Sequence, residues 1–227
     1  GESDDNAQSD AGFGVIGVSP KRLGMFTKFS KQLLAQSTID VENFVRMDLE
    51  TGIKLAVDKA AINGSGSNGE PTGLLNTSGI GNVAMGTNGL APTRDALVDL
   101  ESAIAAADAD DGTMAFLTTP GIRGKLRKTK TDTGSGLFIW GEQSNTLLGY
   151  RAAVSTQVPS NLTKGTSSDA NAIIFGDWSN LVLANWAGFD LVVDPYTLAG
   201  KAMVKVVANS WWDVMVRYPK AFAAIKD

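Results

Sequence analysis

Four groups of residues in this sequence could do chemistry, each of a different kind. Gly64-Ser65-Gly66-Ser67-Asn68-Gly69 reads G-x-G-x-x-G, the fingerprint of a dinucleotide-binding turn. That turn works where it follows a strand and opens a helix, because helix-terminal N–H groups then meet the pyrophosphate. Here the glycines follow a helical pattern and run into Glu70-Pro71, with no Lys-Ser or Lys-Thr after the last one. The pattern therefore reads as a structural turn, and no cofactor is assigned. Asp108, Asp110, Asp111 and Gly112 hint at an oxygen-ligand calcium loop. Its spacing fails, because Gly112 stands where the fifth position should supply a ligand and Thr119 where a bidentate Glu should be. No metal is assigned.

Arg123, Lys125, Arg127, Lys128 and Lys130 form the basic cluster of the chain, with Ile122 and Leu126 beneath it. Such a cluster can meet phosphate or the acidic face of a neighbouring subunit, or form only a solvated face. Trp211 and Trp212 place one indole on each side of a strand. With Val neighbours and no basic groove, they suit a core and an interface better than a stacking platform for sugar or base. Arg123, Lys125, Arg127, Lys128 and Trp211 are thus the subunit-interface candidates. Catalytic candidates are absent: with no His and no Cys, imidazole triads, thiolate nucleophiles and disulfides are excluded, and no two carboxylates stand at a recognisable catalytic spacing.

The 227 residues allow one large domain or two small ones. A net charge of -4 and a pI near 4.9 argue against a general nucleic-acid binder. Nothing approaches 18 consecutive apolar residues, so no membrane role is expected. The acidic start Gly1-Glu2-Ser3-Asp4-Asp5 lacks both a secretory pattern and an initiator Met, which points to a trimmed or processed chain.

The elements that must position these groups show most clearly in a helix expected from about Thr38 to Ile62. Val41, Val45, Leu49, Ile53, Ala56 and Ala60 recur at helical spacing, and Glu50/Lys54 is an i,i+4 pair. Ser37 with Asp40 offers a capping box, and Asn63-Gly64 a left-handed stop. At about 1.5 Å per residue the helix is roughly 35 Å long. It should run unbroken over at least Val41 to Ala61, with Val45, Leu49 and Ile53 facing a sheet that contains Val204 and Val206. A second helix is expected from Thr93 to about Asp108, then a buried strand at Met114–Leu117 and a short helix opened by Thr119-Pro120. Short strands are expected at Val15–Val18, Leu23–Phe26, Ile173–Phe175, Leu181–Ala184 and Phe189–Val193. A long one follows at about Lys201 to Tyr218, with Lys205, Asn209, Asp213 and Arg217 on its polar face. Residues 1 to 12 read as a mobile tail or cut loop. The class is α+β.

Several segments taken in order resemble the major capsid proteins of tailed bacteriophages, with the Hong Kong 97-type fold. They are the long helix, Ala60-Ala61-Ile62-Asn63-Gly64-Ser65-Gly66, Glu70-Pro71-Thr72-Gly73-Leu74-Leu75, Phe175-Gly176-Asp177-Trp178 and Arg217-Tyr218-Pro219-Lys220-Ala221-Phe222. The resemblance spans about Val15 to Lys226, and the helix-to-glycine-loop junction is its most specific part. It implies a peripheral domain at 19–92 and 196–227 with the long helix as its spine, an axial domain at 93–195, and the returning half of an extended loop at 1–18. It also implies hexameric and pentameric capsomers of identical chains, a virion shell assembled in the bacterial cytoplasm, and packaged DNA held without sequence-specific contact. Some family members weld subunits through a Lys–Asn isopeptide bond assisted by a Glu. Ala202 and Asn209 fall where the Asn and the Glu would stand, which implies that the bond is absent. Encapsulin compartments share the fold and are the alternative; a carbohydrate-binding module or a carboxylate-based enzyme are the competing classes.

Overall fold

The computed structural model describes residues 15–36, 41–132, 134, 136–141 and 145–226, with the backbone alone at Leu34 and Ala35. The expected tail at 1–12 and the capping box at Ser37 and Asp40 lie outside the described residues. The chain is α+β, as its patterns required.

The long helix, α2, runs without interruption over Val41–Asn63, after a short α1 at Lys31–Gln36. Its buried face follows a single i,i+4 row, Leu49, Ile53, Val57 and Ala61, whereas Ala56 and Ala60 are half-buried at its margin. Such a row is inclined by about 26° to the helix axis, so the face that meets the sheet winds slowly round the helix. Gly52 does not break it. The Met25 side chain of the first strand lies over Gly52, with its sulfur and methyl in the space that a Cβ would take. Glu50 and Lys54 pair at 2.8 Å on the exposed side.

Under α2 lies a three-stranded antiparallel sheet in the order β1-β10-β9, formed by Lys21–Ser30, Met203–Val216 and Leu181–Asp194. Phe29, Leu49, Ile53, Val57, Val204, Val206 and Ala208 form its core, with Val45, Met25 and Leu191 packed at the edge. The helix thus faces Val204 and Val206 as expected. Three readings need correction. Val15–Val18 is irregular, and regular pairing begins at Lys21, where side chains start to alternate against β10. Leu181–Ala184 and Phe189–Val193 are parts of one 14-residue strand, because register shifts opposite Asn209, Trp211 and Trp212 absorb the Asn-Trp-Ala-Gly interruption. Asp213 is buried rather than on a polar face, since it follows Trp212, the partner of Lys21, and so meets the chain entering β1.

A second core lies around a six-stranded sheet in the order β2-β11-β8-β3-β5-β4. Its strands are Gly81–Asn82, Phe222–Lys226, Ala172–Asp177, Met114–Thr118, Tyr150–Val154 and Thr146–Leu147. A hairpin of β6, Leu162–Lys164, and β7, Ser167–Ala170, stands apart from it. α3, Arg94–Ala105, contributes Leu97, Leu100 and Ile104, all fully buried, and is capped by Thr93, which accepts from the Ala96 N–H at 3.3 Å. α4, Pro120–Lys128, contributes Ile122 and Leu126. Ile62 at the end of α2 belongs to this second core, together with Leu74 and Leu75. One helix therefore has its middle in one core and its end in the other.

Removing side-chain volume from the inclined row should cost far more than removing it from the outer face. Ile53→Ala should lose about 2–5 kcal/mol of unfolding free energy. Phe44→Ala, 68% exposed, should stay within about 0.5 kcal/mol. Urea titration followed by circular dichroism checks both.

Candidate subunit-interface surface

The motifs that stood out in the sequence turn out to be places where backbone packs on backbone. α2 ends with Gly64 N–H donating to Ala60 C=O at 2.9 Å, which continues the helical ladder. Gly64 is not left-handed, contrary to the expected stop; the first positive φ comes at Gly66, 69°. Glycine is needed at 64 and 73 for another reason: a Cβ at either would collide with the main chain of the other limb of the loop. Gly73 N–H donates to Gly64 C=O at 2.9 Å, and the Asn76 side-chain amide donates to the same carbonyl at 2.8 Å.

Inside this clasp the N–H groups of Gly64, Ser65, Gly66, Ser67 and Glu70 are already used. Gly66 N–H donates to Pro71 C=O at 3.0 Å and Glu70 N–H to Ser67 C=O at 2.9 Å. The Glu70 carboxylate accepts from Ser65 N–H at 3.1 Å and from Ser65 Oγ at 2.6 Å. Those two hydrogen bonds hold its pKa below the usual glutamate value, the side-chain bond contributing most. A glutamate held as the anion at the mouth of the loop also repels phosphate.

The other two motifs join the end of β10 to the six-stranded sheet. Asp177, buried, accepts from Ser179 N–H at 3.1 Å, Ser179 Oγ at 2.8 Å and the Asn180 amide at 2.9 Å. Asn180 C=O in turn accepts from Arg217 N–H at 2.8 Å, and the Trp178 indole donates to Ala115 C=O at 2.9 Å. Trp178 meets the Phe222 ring edge-on at 5.7 Å.

Of the interface candidates, Arg123, Lys125, Arg127 and Lys128 share α4. Thr119 caps the helix by accepting from Ile122 N–H at 3.2 Å, and Pro120 fixes its first turn. Ile122 and Leu126 bury its inner side, which leaves Lys125, Arg127 and Lys128 exposed and Arg123 half-buried. Lys125, Arg127 and Lys128 occupy the last turn, where the helix dipole favours cations. Trp211 is not part of this patch. It lies on β10 in the other core, half-buried opposite Arg22 and Ala187. Trp212 is also half-buried, packed on the first core with its indole donating to Ser210 Oγ at 2.5 Å.

Sequence reasoning missed Asp213. Its carboxylate accepts from Ser19 N–H at 2.9 Å, from Lys21 Nζ at 2.9 Å and from Val214 N–H at 2.9 Å. Burial alone would raise its pKa, but the hydrogen bonds from Ser19, Lys21 and Val214 and the charge of Lys21 outweigh it, and the net shift is downward. The direction in which residues 15–20 leave the body is therefore set by one carboxylate. The signal was the pairing of strand register with a lone Asp among valines, and register is invisible in a single sequence.

A sequence model of the phage capsid family matches residues 1–227. The chain belongs to the phage capsid family. It is 32% identical over 222 residues to the major capsid protein of Halomonas phage phiHAP-1, covering 98% of this chain and 34% of that protein. The chain thus spans about a third of the length of that relative. Among solved structures it is similar to the capsid of a native GTA particle, at 25% identity and a TM-score of 0.73 over 91% of this chain and 72% of the other. Gordonia phage Cozz shares the fold at 16% identity and TM-score 0.67, over 99% and 78% of the two chains. So does the SrpI encapsulin complex from Synechococcus elongatus PCC 7942, at 16% and 0.64, over 91% and 73%. The architecture is that of Hong Kong 97-type capsid proteins, as the resemblance implied.

Two outcomes follow from this geometry. Calorimetric titration with NAD or ATP should give no saturable heat at micromolar affinity, because most of the clasp's N–H groups are already bonded and the Glu70 anion stands beside them. Because the Asp213 pKa is depressed in the fold, the stability it contributes is present above the unfolded value, about 3.9, and is lost as pH falls through the folded value. Asp213→Asn should therefore flatten the acid limb of a stability profile below about pH 4 relative to the native chain.

Proposed function

We propose that this chain is the shell-forming part of a phage major capsid protein, with a structural rather than catalytic role. The observation that carries the reading is α2, one unbroken helix that runs from one core to the other and is clasped to the second. A shell subunit needs such a strut, because it must pass load between neighbours without hinging. We draw the units from the two cores. The three-stranded sheet with α2 serves as the peripheral unit and takes in β9. The six-stranded sheet serves as the axial unit and takes in 74–85 and 216–226. Identical copies close into hexameric and pentameric capsomers in the bacterial cytoplasm, with α4 turned toward a neighbour. The shell encloses DNA without sequence-specific contact, and a net charge of -4 keeps that contact weak. No cofactor takes part.

The cavities described, 280 to 390 Å³, each carry at most one carboxylate in their lining, which gives a hydrolytic enzyme nothing to converge on. Both indoles of Trp211 and Trp212 are half-buried, which disfavours a sugar platform. The encapsulin-like reading rests on fold alone.

Electron microscopy of a chain extended to the length of its relatives should show closed particles, while the 227-residue chain gives monomers or small oligomers. Failure of the extended chain to form particles would overturn the reading. With Ala202 and Asn209 at the welding positions, those particles should dissolve to monomers on a denaturing gel.

A further inference from the structure

If α4 faces a neighbouring subunit, as proposed above, what it touches should be acidic, and the chain carries a suitable surface. Lys125, Arg127, Lys128 and Lys130 are exposed, and none of the five cations of this ridge pairs with a carboxylate among the described residues. Residues 93–195 hold eight Lys and Arg against twelve Asp and Glu, and five of those eight cations are in the ridge. The rest of this part of the chain is therefore acidic, with three cations against twelve acids, and its net charge repels a phosphate backbone.

Asp108, Asp110 and Asp111, just past the end of α3, are exposed and likewise pair with no cation among the described residues. α3 has no basic residue in its last turn, so three carboxylates follow its negative end with nothing to offset them. The segment is nevertheless held firmly. Ala107 and Ala109 N–H both donate to Ile104 C=O, Asp108 N–H donates to Ala105 C=O, Ala109 is buried, and the Tyr218 hydroxyl donates to Ala107 C=O. Little ordering entropy would be lost when a partner docks on it.

We propose that the α4 ridge of one copy docks on the Asp108–Asp111 knuckle of the next copy. The two patches differ, so the contact is head to tail, and it closes into a ring when the rotation between copies allows. The ridge then needs no partner within its own chain.

Charge reversal tests this on the 227-residue chain and on the extended one. The first variant carries Arg127→Glu and Lys128→Glu; the second carries Asp110→Lys and Asp111→Lys. Sedimentation at about 50 mM salt, where screening is modest, reads self-association. Each variant alone should associate about tenfold or more weakly than the native chain, since like charges then face each other. An equimolar mixture of the two should recover association, because both contacts in an alternating ring again join opposite charges. Unchanged melting temperatures show that the substituted exposed positions leave the fold intact. Native-like association of either variant alone, no association of the native chain, or a mixture that stays dissociated overturns the pairing. If the first variant loses retention of duplex DNA but keeps its self-association, the ridge faces nucleic acid and the pairing is wrong. If both variants of the extended chain still build native shells, the pairing fails while the capsid reading stands. If the native extended chain builds none, the capsid reading fails.

Discussion

The contact on which the rest of the structure depends is the meeting of two stretches of main chain at Gly64 and Gly73. There the end of α2 and the entry to the six-stranded core touch without side chains between them. With no Cβ at either position the two main chains approach closely enough for Gly73 N–H to donate to Gly64 C=O, and any larger residue would force them apart. Because Ile62, Leu74 and Leu75 are buried together on the second core's side, the clasp fixes where α2 points relative to that core. Together with the packing of Leu49, Ile53 and Val57 on the three-stranded sheet, this contact positions what α2 carries.

The polar groups follow a consistent division of labour. Buried carboxylates are tied to the backbone: Asp177 secures the turn that receives Arg217, and Asp213 secures the segment entering β1. Within residues 93–195 exposed charge is segregated instead, with five of the eight cations on or just after α4 and twelve acids spread over the remainder. The first kind holds the subunit together whatever the salt, because buried hydrogen-bonded charge is poorly screened. The second kind weakens with salt and suits contacts that must form reversibly while a large assembly corrects its errors. A lattice of many modest contacts gains its stability from their number rather than from the strength of each.

The structure also explains why motifs with so little chemistry are the recognisable part of this sequence. The glycine loop, Phe175-Gly176-Asp177-Trp178 and Arg217-Tyr218-Pro219-Lys220-Ala221-Phe222 all lie where one element is pinned to another by backbone or buried-ring contacts. Such points restrict residue type more severely than an ordinary core position, which accepts any apolar side chain of about the right volume.

The sequence by itself determined what is local. The helical period of α2, the start of α3 at Thr93, the Thr119-Pro120 start of α4 and its basic cluster were all legible, because each depends on residues within a few positions of one another. The α+β class and the absence of thiol or imidazole chemistry were legible for the same reason. Tertiary structure alone decided what depends on register and on distant neighbours. Asn185-Trp186-Ala187-Gly188 reads as a break, yet pairing with β10 carries the strand through it. Asp213 reads as a surface residue until strand register sets it against Ser19 and Lys21. Phe222–Lys226 gives no alternating signal because both of its faces are covered, and it becomes a strand only between β2 and β8. The allocation of Leu181–Asp194 to one core and of Phe222–Lys226 to the other follows the same rule. A strand's partner is chosen by hydrogen bonds to residues far away in the chain, and no local pattern encodes that choice.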